Sequence, residues 1–176
     1  MPANSASGSA AQIRLLILDI DGVMTDGGLH FDNQGEEYKT FNSLDGHGIR
    51  MLLDCDIEVA VITGRQSGIV SHRLTELGVK HIHQGYRDKL PAYEKLLQDT
   101  GFGPEQTAYV GDDLPDLPIM RRVGFAIAVQ NAHAFVKQHC DWVTSACGGN
   151  GAVREVTDFI LQAQLLLDAK QDSYLE

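Results

Sequence analysis

Residues 13–20 read IRLLILDI, a short apolar run that ends near an aspartate and breaks at Gly22. The succession Leu15, Leu16, Ile17, Leu18 does not alternate between a wet face and a dry one. A strand built from it has to be covered on both sides, as in a parallel sheet. Similar runs recur at 57–62 (IEVAVI), 81–83 (HIH), 107–110 (TAYV) and 125–129 (FAIAV), with a last short one at Trp142 and Val143. Helical spacing fills the intervals. Residues 67–77 put Ile69, Val70, Leu74 and Leu77 on one face, and 47–54, 90–98, 114–123, 134–139 and 153–170 carry comparable patterns. Gly78 and Gly101 fall where left-handed helix caps belong. Strands alternating with helices predict an α/β fold: a doubly wound, mostly parallel sheet with right-handed crossovers. Ligands of such sheets bind beyond the carboxyl ends of the strands.

One segment interrupts the alternation. In residues 26–43 (DGGLHFDNQGEEYKTFNS), Leu29 and Phe31 alternate with polar residues, and so do Tyr38 and Phe41 across a turn at 32–35. This predicts a β-hairpin inserted after the first strand. It is too small to be a cap domain. With 176 residues, 43% of them apolar, the chain supports one core and hence one domain. That domain is expected at 13–170, with a small, polar and disordered leader at 1–12 and a tail at 171–176.

A net charge of -10 repels phosphodiester backbones and anionic lipid, which argues against nucleic acid or a membrane as partner. An anionic substrate therefore needs a local concentration of basic residues. Cys55, Cys140 and Cys147 show no C-x-x-C spacing and read as reduced thiols of a cytoplasmic protein. No stretch reaches the length of a membrane span, and the first residues lack a signal-peptide pattern.

Polar residues with chemical potential cluster where the strands end. Asp19 and Asp21 close the first, and an acidic pair there is costly without a cation. Thr63, Gly64 and Arg65 follow the second, Lys89 opens the helix after the third, and Gly111, Asp112 and Asp113 follow the fourth, with Asp116 beyond. All four clusters converge on one rim of the predicted sheet. They bring carboxylates for a hard cation, a hydroxyl and an ammonium, which are the parts of a phosphoryl-transfer site.

The ordered set Asp19-x-Asp21, Thr63, Lys89 and Gly111-Asp112-Asp113 resembles the four motifs of the haloacid dehalogenase superfamily. The resemblance spans the chain from Ile13 onward and implies a Rossmann-like haloacid dehalogenase fold and a Mg²⁺-dependent phosphomonoesterase. It implies that Asp19 attacks phosphorus and becomes an aspartyl phosphate. Asp21 protonates the leaving alkoxide and then activates water, while Thr63 and Lys89 bind phosphate oxygens. Mg²⁺ would be held by Asp19, the main-chain carbonyl of Asp21, and Asp112, with Asp113 supporting from behind. Together the hairpin, the D-G-V-x-T-D-G stretch from Asp21 and the G-G-N-G-A-V-R-E segment from Gly148 resemble a capless branch that acts on phosphorylated ulosonates.

Within that branch the resemblance implies the 8-phosphate of an eight-carbon ulosonate as substrate and a role in lipopolysaccharide precursor synthesis. It also implies a homotetramer in which a neighbouring subunit completes the pocket. Asn42, Asp45, Gly46, Arg50, Arg65 and Arg73 would contact the sugar along with Asp21 and Lys89. Arginine suits the substrate's carboxylate because its planar fork matches that group.

The alternatives are a phosphatase for a nine-carbon ulosonate such as a sialic acid 9-phosphate, and a non-catalytic oligomerisation or regulatory module. The presence of every motif residue argues against the second. Two other patterns are read as structural. His81 and His83 share a strand face without a third ligand motif, and the glycine-rich 147–151 stretch lacks the Lys-Ser/Thr of a phosphate-binding P-loop, so it is expected to be a mobile turn.

Overall fold

The computed structural model describes residues 3–175. Its strands are β1 (Leu15–Leu18), β2 (His30–Phe31), β3 (Glu37–Tyr38), β4 (Glu58–Ile62), β5 (His81–His83), β6 (Thr107–Gly111), β7 (Phe125–Ala128) and β8 (Trp142–Val143). Six of them form one sheet in the order β5-β4-β1-β6-β7-β8. Every pairing in it is parallel. β1 lies between β4 and β6, with Leu15 opposite both Glu58 and Thr107, and all four of its residues are buried. This is why its sequence shows no alternation. Each such aliphatic side chain contributes about 1.5–3 kcal/mol by leaving water. The strand order reverses at β1, so a crevice opens beyond its carboxyl end, between the loops that follow β1, β4 and β6.

The helices are α1 (Ala3–Ala10), α2 (Ser43–Asp54), α3 (Gly68–Leu77), α4 (Leu90–Thr100), α5 (Leu117–Met120), α6 (Ala134–Lys137), α7 (Ala152–Ala163) and α8 (Leu167–Asp172). α7 buries Val153, Val156, Ile160 and Leu161 along one stripe and packs on both α2 and α1. Gly78 and Gly101 close α3 and α4 in left-handed conformation, as their positions predict. The hairpin forms at the expected place, with His30 opposite Tyr38 and Phe31 opposite Glu37. Its turn is tied by Asp32, whose carboxylate accepts from the amides of Gln34 and Glu36.

Four expectations need correction. The leader expected to be disordered at 1–12 contains α1, which buries Ala6 and Ala10; residues 1–2 lie outside the described residues. Small side chains let α1 sit close on α7, and Gln164 secures its end by donating to the carbonyls of Ala10 and Ile13. The helix expected at 114–123 splits into a 3-10 turn (Leu114–Asp116) and α5, because Pro115 and Pro118 each remove an amide donor. The helix expected at 153–170 divides into α7 and α8, where Leu165 adopts a φ of 60°. The tail expected at 171–176 begins inside α8, and Glu176 lies outside the described residues.

Candidate active site

The carboxyl ends of the central strands bring the predicted groups together. Asp19 follows β1, Thr63 follows β4, Lys89 precedes α4 and Asp112 follows β6. Asp19, Asp21, Thr63, Arg65, Lys89, Asp112 and Asp113 all line one cavity of about 330 Å³, with Gly64, Arg87, Pro115 and Asp116. Asp19, Thr63 and Lys89 are buried. The main chain explains the placement: the amide of Asp19 donates to Val110 O and that of Thr63 to His83 O, so each residue continues the sheet by one position.

Lys89 organises the floor. Its Nζ lies 2.9 Å from Asp19 Oδ1 and 2.7 Å from Asp116 Oδ1. Burial alone would lower the lysine's pKa; the carboxylates of Asp19 and Asp116 outweigh it and hold the group above its ordinary value. Asp116 has no capacity to spare. Its Oδ1 accepts from Lys89 and from the Tyr109 hydroxyl, and its Oδ2 accepts from the amides of Asp112 and Asp113. With four donors on two oxygens it anchors Lys89 and the loop after β6. Asp116→Ala is therefore expected to destabilise the protein by about 2–4 kcal/mol, since it removes one of the two carboxylates paired with a buried ammonium and leaves the Tyr109 hydroxyl and two amides without their acceptor. Urea unfolding of the two proteins side by side measures this.

Asp19, Asp112 and Asp116 each offer an oxygen within 4.8 Å of the others. Asp19 Oδ1 is also buried with no hydrogen-bond partner; Lys89 is near it but poorly aligned to donate. Burial, and next the charge of Asp116, raises the carboxyl of Asp19 to about 7 against the opposition of Lys89. Burial and then the charges of Asp116, Asp19 and Asp113 raise Asp112 to about 7 as well. Buried carboxylates that resist ionising together are what a divalent cation relieves, and an all-oxygen donor set suits Mg²⁺. Asp19 and Asp112 could hold it; Asp116 is already saturated.

The glycine-rich stretch, expected to be mobile, is packed against this site. A Cβ on Gly148 would lie 1.7 Å from Gly22 O, and one on Gly149 would lie 2.4 Å from the Asp26 amide nitrogen. The Gly149 amide donates to Val23 O. Only glycine permits this approach, which braces the loop carrying Asp21.

Within one chain the expected sugar-contacting residues separate into two groups. Asp21, Arg65 and Lys89 line the cavity, whereas Asn42, Asp45, Gly46, Arg50 and Arg73 do not. Asn42 caps α2 by accepting from the Leu44 amide. Asp45 is buried and accepts from the amides of Gly151 and Arg154, tying α2 to the start of α7. Gly46 leaves room for Arg73, whose Nη2 would sit 2.3 Å from a Cβ there. Arg73 pairs with Glu76 at 2.8 Å, and Arg50 reaches Glu76 O. Asp113 caps the 3-10 turn by accepting from the Leu114 amide. At the amino end of β5 His81 pairs with Glu58 at 2.9 Å, and at its carboxyl end His83 meets the ring of Tyr86.

Sequence reasoning gave no role to Lys39, Glu37, Arg87 or Asp116. The three-residue spacing of Asp113 and Asp116 is a capping signal from which the turn could have been found. Nothing in the local sequence of Lys39 announces that its ammonium sits on Asp21 with only 1% of the side chain exposed.

Comparison with known proteins agrees with this geometry. The sequence pattern of the haloacid dehalogenase-like hydrolases matches residues 78–155. Over 159 residues the chain is 52% identical to the 3-deoxy-D-manno-octulosonate 8-phosphate phosphatase KdsC of Escherichia coli, covering 90% of this chain and 85% of that one. The crystal structure of the phosphatase of that name from Yersinia pestis is similar with a TM-score of 0.93 at 50% identity, over 94% of this chain and 89% of that one. The one from Moraxella catarrhalis, in complex with a magnesium ion, a phosphate ion and a KDO molecule, gives a TM-score of 0.95 at 42% identity over 97% and 98% of the two chains. Fold, motif placement and likeness to these proteins agree: the chain belongs to the haloacid dehalogenase-like hydrolases, in the branch of the 3-deoxy-D-manno-octulosonate 8-phosphate phosphatases.

Proposed function

We propose that this chain hydrolyses 3-deoxy-D-manno-octulosonate 8-phosphate to the free ulosonate and phosphate, with Mg²⁺ as cofactor. The observation that carries this reading is the buried Asp19 carboxylate, paired with Lys89 and crowded by Asp112 and Asp116, in a chain so similar to phosphatases of that name. A carboxylate of Asp19 attacks phosphorus in line, and the ester P–O bond breaks as an aspartyl phosphate forms. Asp21 gives its proton to the departing alkoxide, which is too basic to leave unaided. It then takes a proton from the water that attacks phosphorus and frees Asp19. Thr63 and Lys89 hold the phosphoryl oxygens. Asp19, Asp112 and the main-chain carbonyl of Asp21 would hold Mg²⁺, which would supply the charge neutralisation that lets one anion approach another.

Arg65 takes one end of the sugar acid. Asn42, Arg50 and Arg73 act from a neighbouring subunit of a homotetramer, which accounts for their distance from this chain's own cavity; Asp45 and Gly46, buried within their own chain, instead tie α2 to α7 and make room for Arg73. Leu29, Phe31 and Tyr38 are 50–56% exposed on the hairpin, apolar surface that a subunit contact would cover. The reading places the enzyme in the cytoplasm, where the unpaired Cys55, Cys140 and Cys147 stay reduced, and its product in lipopolysaccharide assembly.

The test is phosphate release from a panel of sugar phosphates with and without Mg²⁺. The octulosonate ester is expected to be preferred over a nine-carbon ulosonate 9-phosphate and over hexose phosphates by about a hundredfold or more in kcat/KM. Equal turnover of glucose 6-phosphate would overturn the substrate assignment.

A further inference from the structure

Lys39, just past β3, is the hairpin's link to the chemistry. Its Nζ contacts Asp21 Oδ1 directly and lies 3.3 Å from Glu37 Oε1. Arg65 closes the circuit: Nη2 donates to Glu37 Oε1 at 2.8 Å, and Nε lies 3.7 Å from Asp21 Oδ2. Two cations and two carboxylates thus join the hairpin, the end of β1 and the turn after β4 with no net charge. A lysine so deeply buried is rare without a partner, and Asp21 is its nearest. The two oxygens of Asp21 are not equivalent. Oδ1 holds the ammonium, whereas Oδ2 has no hydrogen-bond partner.

A carboxyl group rotates broadly about its last torsion, so an acid without a tether presents its proton in many directions. An ammonium seated on one oxygen restricts that rotation and leaves the other to carry the proton. We infer that Lys39 is a positioning residue that fixes the Asp21 carboxyl so that Oδ2 serves the leaving group, making proton delivery depend on a seated hairpin. The inference rests on the proposed role of Asp21 as acid. While the Asp19–P bond forms and the ester P–O bond breaks, the proton on Asp21 Oδ2 passes to the alkoxide oxygen. Lys39 keeps its protons throughout.

A positioning role predicts a dependence on the leaving group that a purely structural role does not. Lys39→Met and Lys39→Gln are compared with wild type on 3-deoxy-D-manno-octulosonate 8-phosphate, whose alkoxide needs a proton, and on p-nitrophenyl phosphate, whose phenolate departs without one. For Lys39→Met, kcat on the sugar ester is expected to fall about a hundredfold with KM little changed, while p-nitrophenyl phosphate turnover stays within about threefold. Lys39→Gln keeps a donor and is expected to lose less on the sugar ester, with the same contrast. It carries the comparison if the methionine variant does not fold. Equal losses on both substrates would reduce Lys39 to a fold support, and a rise in KM with kcat intact would make it a substrate ligand; either result overturns the inference. If wild type cleaves p-nitrophenyl phosphate but not the octulosonate ester, the substrate assignment fails instead. The same contrast is then read on whichever alkyl phosphate the enzyme accepts.

Discussion

Asp19→Asn is expected to reduce phosphate release from the octulosonate ester by a factor on the order of 10⁵ or more, since loss of a covalent nucleophile leaves only binding and electrostatic assistance. The change is nearly isosteric and lies at the end of a fully buried strand, so the backbone has little reason to move. It also removes one charge from a crowded acidic group. Asp19 resists ionisation because it is buried and faces Asp116, and Asp112 resists it partly because of Asp19. Lys89 retains Asp116 at 2.7 Å as its partner. The metal-free variant is therefore expected to be at least as stable as the metal-free wild type, which separates a chemical defect from a folding one. Acid quench during turnover should trap a protein-bound phosphate in wild type and none in the variant. Residual activity within tenfold of wild type would mean that water attacks the ester directly and that Asp19 is only a ligand.

Asp19 was legible as a candidate nucleophile because burial and chemistry meet within a few residues. An unbroken apolar run must be an inner strand, its end must face the crevice of the sheet, and carboxylates placed there demand compensation. Thr63 and Asp112 were legible for the same reason, each next to a run that could only be an inner strand, whereas Lys89 follows the half-buried edge strand β5 and stood out only as the residue that opens the next helix. Asp116 was visible in the sequence without a role, because that role depends on Tyr109 and Lys89 arriving from two other elements. Lys39 was not legible: the hairpin must fold back over β1 before its ammonium meets Asp21. α1 escaped for a different reason. Its small, polar residues suggest disorder, but alanine favours helix strongly and small side chains permit close packing on α7. The break in 114–123 was within reach, since Pro115 and Pro118 are inconsistent with a continuous helix there. The separation of Asp45 and Arg73 from the cavity follows from the placement of α2 and α3, which no local pattern reports.

Removing Mg²⁺ with a chelator is expected to abolish turnover and to destabilise the protein more at pH 8 than at pH 5.5. The sign follows from the two raised carboxyls. Asp19 and Asp112 titrate near 3.8 when unfolded and near 7 in the metal-free fold. Between those values the folded protein binds more protons than the unfolded one, so metal-free stability falls as pH rises toward 7 and then levels off. Acid therefore relieves the repulsion that the cation otherwise relieves, and the two means of relief compete. Mg²⁺ must displace any proton that Asp19 or Asp112 still holds. Its affinity is expected to weaken on acidification below pH 7 by about tenfold per pH unit for each carboxyl that must deprotonate. Calorimetric titrations in two buffers of different ionisation enthalpy should show proton release at pH 6 and little at pH 8.5. Thermal denaturation with and without Mg²⁺ should show the larger gap at the higher pH. A gap independent of pH, with no proton release on binding, would mean that the cation sits away from Asp19 and Asp112.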